Sequence, residues 1–524
     1  MAIGELNVNL GEEHKAKASE GSADDVLEAE VAALNRLGYQ QELKREFSLL
    51  GIVAFSFSIV TSWTALAGVM IIGVQSGGPP VIIWSWIAIC LLTLAVAYSL
   101  AEMCSAYPVA GGQYAWVAIL APRKWRRGMS YICGWFLTIG ILAMGATSHF
   151  VTANFIVGLA NLNNPSFVID RWHTVLVGWA IAFVTLIFNV FFSRLLNRAS
   201  QFILAINLLG FVIVVVTMLA MNKNKNPAAF VFRDFVNLTG WPDSYTAIIG
   251  LLQAAFGMCC YDSASRMTEE VKNARREAPR AIVMSVYIGF VTGFIFLIVA
   301  CFCMGDVADM ASSTTGVPVI EIFRHSTGSE AGATGLASLI VVIGLGASNG
   351  LTATGGRSVY AFARDRGLPF SSFLSRVKKS NSTPVNALCA AVLVQFILLA
   401  IYFGAVQGFS TVIAIATEGF YVSYAIPLLA RLLSLATSEP FHEIGGLYNL
   451  GRWSIPLNII GLLYLLFAVI TFNFPTATPV DSANMNYTSA AVGVVMLIAL
   501  VTWLTTGRSH FRGPESGGIA LETE

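Results

Sequence analysis

The chain has 524 residues, of which 56% are hydrophobic and only 12% charged, with a formal net charge of +1 and a mean hydropathy of +0.70. Soluble domains carry roughly a quarter charged residues, so this composition excludes a disordered chain, a nucleic-acid binder and an ordinary cytosolic enzyme. With 31 basic against 30 acidic residues there is no global field to argue from; the charges are segregated along the chain instead.

The first 47 residues are polar and hold ten of the 30 acids. Low hydrophobicity up to Asp25 predicts a disordered tail, with Ser19 and Ser22 as candidate phosphorylation sites. No early apolar core follows the N-terminus, so no cleavable signal peptide is expected. Twelve apolar runs then follow, at 49–74, 81–103, 129–159, 173–192, 201–221, 245–265, 281–304, 334–358, 384–404, 409–433, 455–474 and 487–505. Each is long enough to cross a hydrocarbon core of roughly 30 Å at about 1.5 Å per residue. An even number of spans returns both termini to one side. Twenty-six of the 31 Lys and Arg fall on that side, in loops or at span ends, and five (Arg171, Lys223, Lys225, Arg233, Arg324) on the other. The positive-inside rule makes both termini cytoplasmic. Asn237-Leu-Thr239 then lies outside as a candidate glycosylation triplet, whereas Asn381-Ser-Thr383 lies inside and is not usable.

The eight cysteines all lie in or at the ends of predicted spans. That placement gives no zinc-finger array and no extracellular disulfide framework. Cys301-x-Cys303 reads as two small apolar-like residues of a helix rather than a metal site. There is no Walker loop and no insertion large enough for a nucleotide-binding domain, which disfavours ATP-driven transport. No cofactor and no metal are expected.

An uninterrupted apolar helix pairs all its backbone groups internally. Solute sites in membranes form where a spanning helix unwinds near the midplane and frees amides and carbonyls. The first span contains Ser58-Ile-Val-Thr-Ser-Trp-Thr64, with Thr61 roughly 18 Å from Leu49. The sixth contains Phe256-Gly-Met-Cys-Cys-Tyr-Asp262, with Gly257 also roughly 18 Å from Tyr245. Taken singly, Ser and Thr bonding back to the preceding turn, and Gly257 letting helices pack closely, explain either segment as well. Spans one and six, however, are corresponding members of two five-helix halves that run in opposite directions. Paired breaks there point to an inverted-repeat transport core.

Residues 101–116 (AEMCSAYPVAGGQYAW) resemble the signature that follows the second span of the amino acid–polyamine–organocation permeases. Residues 261–281 (YDSASRMTEEVKNARREAPRA) and 361–369 (AFARDRGLP) are similar to that superfamily's sixth span with its following loop, and to the segment after span eight. Residues 34–48 (LNRLGYQQELKREFS), 62–67 (SWTALA), 240–243 (GWPD), 472–475 (FNFP) and 484–488 (NMNYT) resemble the fungal amino acid/choline branch, which includes choline and 4-aminobutyrate permeases. The resemblance runs from about Leu34 to Pro514. It implies a twelve-span fold with an inverted five-plus-five core and secondary, usually proton-coupled, transport of small amines or amino acids. The chain departs from the pattern at one point. Many permeases of the superfamily carry glycines in the first break, whose amides hold a substrate carboxylate; here the break reads Thr61-Ser62-Trp63-Thr64. A helix N-terminus there still favours an anion, while Trp63 offers an aromatic wall.

Charged residues inside spans need separate reasons. Glu418 lies roughly 14 Å into span ten. An ionised carboxylate at that depth is costly, and no Lys or Arg is expected in a span core to pair with it. Glu418 is therefore expected to be protonated or balanced by a cationic substrate, a coupling or recognition group. Asp262, roughly 26 Å into span six, reads equally as substrate contact or as a gate ion pair with an arginine on the inner side. Glu102 reads as structural, and His149 as a solvated or capped histidine near the outer surface. Glu269 and Glu270 precede Lys272 and Arg275 at helical spacing, as in a solvated, salt-bridged loop. Trp63, Tyr261, Phe420 and Tyr421 adjoin the breaks or Glu418. They are candidates for a cage around an ammonium head, with ordinary packing as the alternative.

The sequence thus predicts an all-α polytopic membrane protein: a tail at 1–47, a ten-helix core at 48–433, spans eleven and twelve at 434–507, and a second cytoplasmic tail at 508–524. The expected substrate site comprises Thr61, Ser62, Trp63, Thr64, Gly257, Cys260, Tyr261, Glu418 and Phe420, with Glu418 and Asp262 as coupling or gate residues. The expected function is proton-coupled, alternating-access transport of choline, 4-aminobutyrate or an amino acid. The plasma membrane is the expected location, with the vacuolar or another internal membrane as alternative. Efflux of an amine or alkaloid metabolite uses the same fold. A non-transporting nutrient sensor is disfavoured by the short tail, and an enzyme by the lack of a nucleophile–base pair or metal cluster in the spans. The expected partners are the solute, protons and the bilayer, with neither nucleic acid nor ATP.

Overall fold

The computed structural model describes residues 45, 47–307, 310, 313, 315–378, 383–404, 407–437, 446–481, 485–511 and 513. The predicted tail up to residue 44, with Ser19 and Ser22, and the chain beyond Gly513 lie outside the described residues, as do Asn381 and Ser382. Twelve helices are long and apolar enough to cross a membrane, as the hydropathy pattern predicts. They are span 1 (Leu49–Gln75), span 2 (Gly78–Ala106), span 3 (Arg126–Asn163), span 4 (Arg171–Phe191), span 5 (Ser193–Met221) and span 6 (Asp243–Glu270), followed by span 7 (Ala274–Cys303), span 8 (Glu330–Arg364), span 9 (Val385–Gly404), span 10 (Ser410–Ala436), span 11 (Gly451–Thr471) and span 12 (Thr488–His510). The side on which span 1 begins is called the N-side below, and the opposite one the far side.

Packing follows a two-fold plan. The first half of span 1 packs on the second half of span 6, and the reverse; span 2 packs on span 7, span 3 on span 8 and span 4 on span 9. Each span of the first five thus meets its counterpart in the second five, as an inverted repeat requires. Spans 1, 3, 6 and 10 are the most buried, and span 12 the least, with 11% of its apolar window inside the protein. Apolar side chains on peripheral spans, such as Leu209 and Val216 of span 5, point outward, as hydrocarbon solvent demands. Spans 3 and 10 touch backbone to backbone. A Cβ on Gly419 would stand 2.7 Å from Cα of Gly140, so only glycine admits this approach.

On the far side, Ser76–Gly77 pairs antiparallel with Val236–Asn237. Asn237 donates from Nδ2 to the Trp241 carbonyl (2.6 Å) and to Asp243 (2.9 Å), which orders the loop that leads into span 6. On the N-side, the amide of Phe47 donates to the Glu270 carbonyl (3.0 Å), and the amide of Lys272 donates to the Phe47 carbonyl (3.0 Å). The residue just ahead of span 1 is thereby tied to the end of span 6.

Candidate substrate cavity and its closure

Both expected breaks are present. Span 1 consists of helices Leu49–Val60 and Ser62–Gln75, separated by Thr61 at φ 31°, ψ 44°. That left-handed conformation is uncommon for a β-branched residue. It is held by the Thr61 amide, which donates to the Phe57 carbonyl (2.9 Å), and by its own carbonyl, which accepts from the amides of Thr64 and Ala65 (both 2.9 Å). Span 6 runs as an α-helix from Asp243 to Gly257, turns at Cys260 with φ 67°, and continues as a 3₁₀-helix from Tyr261 to Glu270. Each break places the ends of two half-helices together, and such ends carry amides and carbonyls with no intrahelical partner. Gly257 itself stays helical. It serves close packing, since a Cβ there would meet Leu66 at 2.8 Å.

Between the two breaks lies a cavity enclosing about 580 Å³ of empty space, part of it open to solvent. Span 1 contributes Thr61 and Thr64, span 6 contributes Phe256, Cys259 and Cys260, span 3 runs along it from Met144 to Phe155, and span 8 from Ile340 to Leu351. Eleven residues of helix make the lined length roughly 16 Å. Polar groups on the wall are hydroxyls and thiols. Thr64 donates to the Thr61 carbonyl (3.0 Å), Ser148 of span 3 shares a hydrogen bond with Ser348 of span 8 (3.0 Å), and Thr152 donates back to the Ser148 carbonyl (2.8 Å). None of the described lining residues is charged.

Of the nine substrate-site residues expected from sequence, Thr61, Thr64 and Cys260 line this cavity. Trp63 turns the other way. Its indole donates to Oδ1 of Asn207 on span 5 (2.7 Å) and packs on Phe211 and Phe296. Ser62 faces Gly289 of span 7. Tyr261 lies against Tyr424 (ring centroids 5.1 Å apart), Phe420 also lies against Tyr424 (5.7 Å), and Tyr421 bonds Tyr464 (2.7 Å) and the Ala255 carbonyl (3.2 Å). The four aromatic residues considered for a cage are therefore packed into separate contacts rather than around a common space. Glu418 is buried on the far-side half of span 10, behind the cavity wall. It accepts from Nδ2 of Asn473 (3.1 Å), which in turn accepts from Ser489 (2.6 Å). No Lys or Arg among the described residues pairs with it.

Toward the N-side the cavity ends on a polar floor. Asp262 accepts from Nε2 of Gln113 (2.7 Å) and the Tyr424 hydroxyl (2.5 Å), and pairs with Arg266 one turn on. Below it, Glu269 receives both terminal nitrogens of Arg364 (2.9 and 3.1 Å) and the Ala110 amide (3.2 Å). Glu270 pairs with Arg357, one bond being 3.1 Å. Glu102 joins spans 2, 10 and 11 through Arg431 (2.8 Å), Ser454 and the Leu450 amide (3.1 Å). With the Phe47 tie, these contacts seal the N-side.

Two expectations are corrected here. Glu269 and Glu270 do not sit in a solvated loop with Lys272 and Arg275. The chain stays inside the fold as a 3₁₀-helix through Glu270, and both carboxylates are buried against arginines of span 8. Arg357, Arg364 and Arg431 accordingly lie on helices rather than in loops. His149 is fully buried, not solvated or capped, because its face of span 3 packs on spans 4 and 9; it bonds Gln395 (3.2 Å). The sequence reading missed Ser148, Thr152 and Cys259 on the wall, and Arg266 and Asn473 behind it. The four-residue spacing of Ser148 and Thr152 within an apolar span was the available signal.

The sequence profile of a family described as amino acid permease matches residues 47–499. A Macrophomina phaseolina protein named as an amino acid/polyamine transporter is 60% identical, over 84% of this chain and 97% of its own length. The choline transporter of Saccharomyces cerevisiae is 33% identical over 90% of this chain and 83% of its own. An amino-acid permease of Oryza sativa subsp. japonica is 30% identical over 96% and 98%.

Proposed function

The chain belongs to the amino acid permease family, and from that premise we propose that it is a secondary, proton-coupled transporter of a small nitrogenous solute. The carrying observation is the cavity between two broken spans, sealed on one side by buried ion pairs. A site reachable from one face at a time is what alternating access needs. The substrate class is choline, 4-aminobutyrate or an amino acid. The uncharged, hydroxyl-bearing wall together with free helix ends suits a zwitterion at least as well as a cation, since helix N-termini favour carboxylates and C-termini favour ammonium groups. Asp262 acts as the gate through Arg266, and Glu418 carries the coupling proton. Efflux remains the second direction of the same cycle, set by gradients.

Radiotracer uptake and efflux in cells lacking their own permeases, screened with choline, 4-aminobutyrate, amino acids and polyamines, tests this directly. Accumulation that collapses with a protonophore supports the reading. Wild-type chain at the cell surface that moves none of these solutes overturns it.

The N-side is proposed to be cytoplasmic and the membrane to be the plasma membrane. A tag at the C-terminus should then react only after permeabilisation, whereas one beside Asn237 should react on intact cells. The opposite pattern reverses the orientation.

A further inference from the structure

We propose that Arg266 is a second binding point on the N-side exit route, one that takes the carboxylate of a zwitterionic solute and leaves carboxylate-free amines unattended. The proposal rests on the transporter reading above and narrows it to residues of the floor.

Arg266 is almost fully buried. Its Nη2 pairs with Asp262, and its guanidinium lies over the Phe420 ring, 5.0 Å from the centroid. Nε and Nη1 have no partner within the protein. Three further polar atoms beside it are in the same condition: Ser263 Oγ, Ser265 Oγ and Gln113 Oε1. Residues three apart eclipse one another in a 3₁₀-helix, which puts Ser263 on the Arg266 face. Gln113 meets Arg266 at the same Asp262 oxygen. Asp262 is already engaged by Gln113, Arg266 and Tyr424. The spot therefore holds more donors than acceptors, around a cation that never gives up its proton in proteins. Buried donors in native structures have partners with few exceptions, and a group with several acceptor oxygens supplies what is missing.

Position completes the argument. The cavity wall contains no cation. Arg266 is the first one met along span 6 on the N-side of Cys260, six residues on, or about 12 Å along a 3₁₀-helix. A carboxylate leaving the cavity as the floor opens would meet the unused guanidinium edge and the two hydroxyls. A quaternary ammonium solute without a carboxylate would meet nothing of matching charge.

The test uses the full chain in oriented membrane vesicles, with 4-aminobutyrate and choline as probes, each applied from either side. Arg266→Lys keeps the charge opposite Asp262 but loses the spare planar donors. The KM for 4-aminobutyrate applied from the N-side should rise about tenfold to a hundredfold, the range expected for one charge-assisted contact. Its far-side KM, and both KM values for choline, should stay within about twofold. The double variant Ser263→Ala, Ser265→Ala should shift the same single parameter and serves where Arg266→Lys is poorly expressed. Equal shifts for both probes, equal shifts from both sides, or no shift for 4-aminobutyrate would overturn the proposal. A wild-type chain that moves choline but no carboxylate-bearing solute also overturns it while leaving the transporter reading intact; one that moves neither fails that reading itself.

Discussion

Glu418→Gln is expected to abolish net uphill transport and its dependence on external pH, while exchange of labelled for unlabelled solute across the membrane continues. The carboxyl is 5% exposed in span 10 and no cation faces it. Its printed partner is the neutral Nδ2 of Asn473, 3.1 Å away, and the Asn473 carbonyl is in turn bonded by Ser489. Holding a bare charge within a span costs about 2.5–3.5 kcal/mol on insertion scales, so this group changes its charge at a substantial gain or loss. Glutamine freezes the uncharged form with little change of shape. Because Glu418 stands behind the cavity wall rather than on it, the coupling role is favoured over direct contact with a cationic head. The two roles separate in one experiment: uptake and counterflow at two pH values with choline and 4-aminobutyrate. Loss of uphill uptake by at least tenfold for both solutes, with counterflow retained, supports coupling. Weaker binding confined to choline assigns Glu418 to cation recognition instead. Unchanged rate, affinity and pH profile make the carboxyl structural.

Arg364→Ala is expected to cost the protein its surface expression. The substitution strips two bonds from Glu269, whose side chain is 1% exposed. Breaking a buried pair from one side typically costs about 3–5 kcal/mol, because the remaining charge stays desolvated. That is comparable to a large share of a domain's net stability. Arg364→Lys, which retains the charge but not the planar fork, should keep part of it. Thermal stability of the detergent-extracted chain, followed by size-exclusion chromatography, measures the difference. An alanine variant as stable as wild type would show that the pair contributes no net stability.

The spans and both breaks were legible because hydrocarbon leaves the backbone few choices. Twenty apolar residues must be helix, and a run holding Ser58, Thr61, Ser62 and Thr64 is where a helix is easiest to interrupt. Which way a side chain turns was not legible. Trp63 is two residues from Thr61 yet faces span 5, because the break rotates the second half-helix and Asn207 is there to receive the indole. Nor could spacing along one segment reveal partners 95 residues away, as for Glu269 and Arg364. The local alternatives Lys272 and Arg275 looked sufficient only because the sequence does not show that span 6 continues as a tighter helix. Glu418 stood out as a lone acid in an apolar run, whereas its distance from the cavity depends on how spans 10 and 11 pack.

The tie between Phe47 and the end of span 6 is made by peptide groups alone. Exchanging the side chains of Phe47, Val271 or Lys272 leaves both bonds available, so mutational drift at these positions passes without loosening the latch. Proline is the exception, since it has no N–H to give: at 47 or 272 it would delete one bond outright. The latch is thus heritable through chain geometry rather than residue identity, and a survey of substitutions that omitted proline would overlook it.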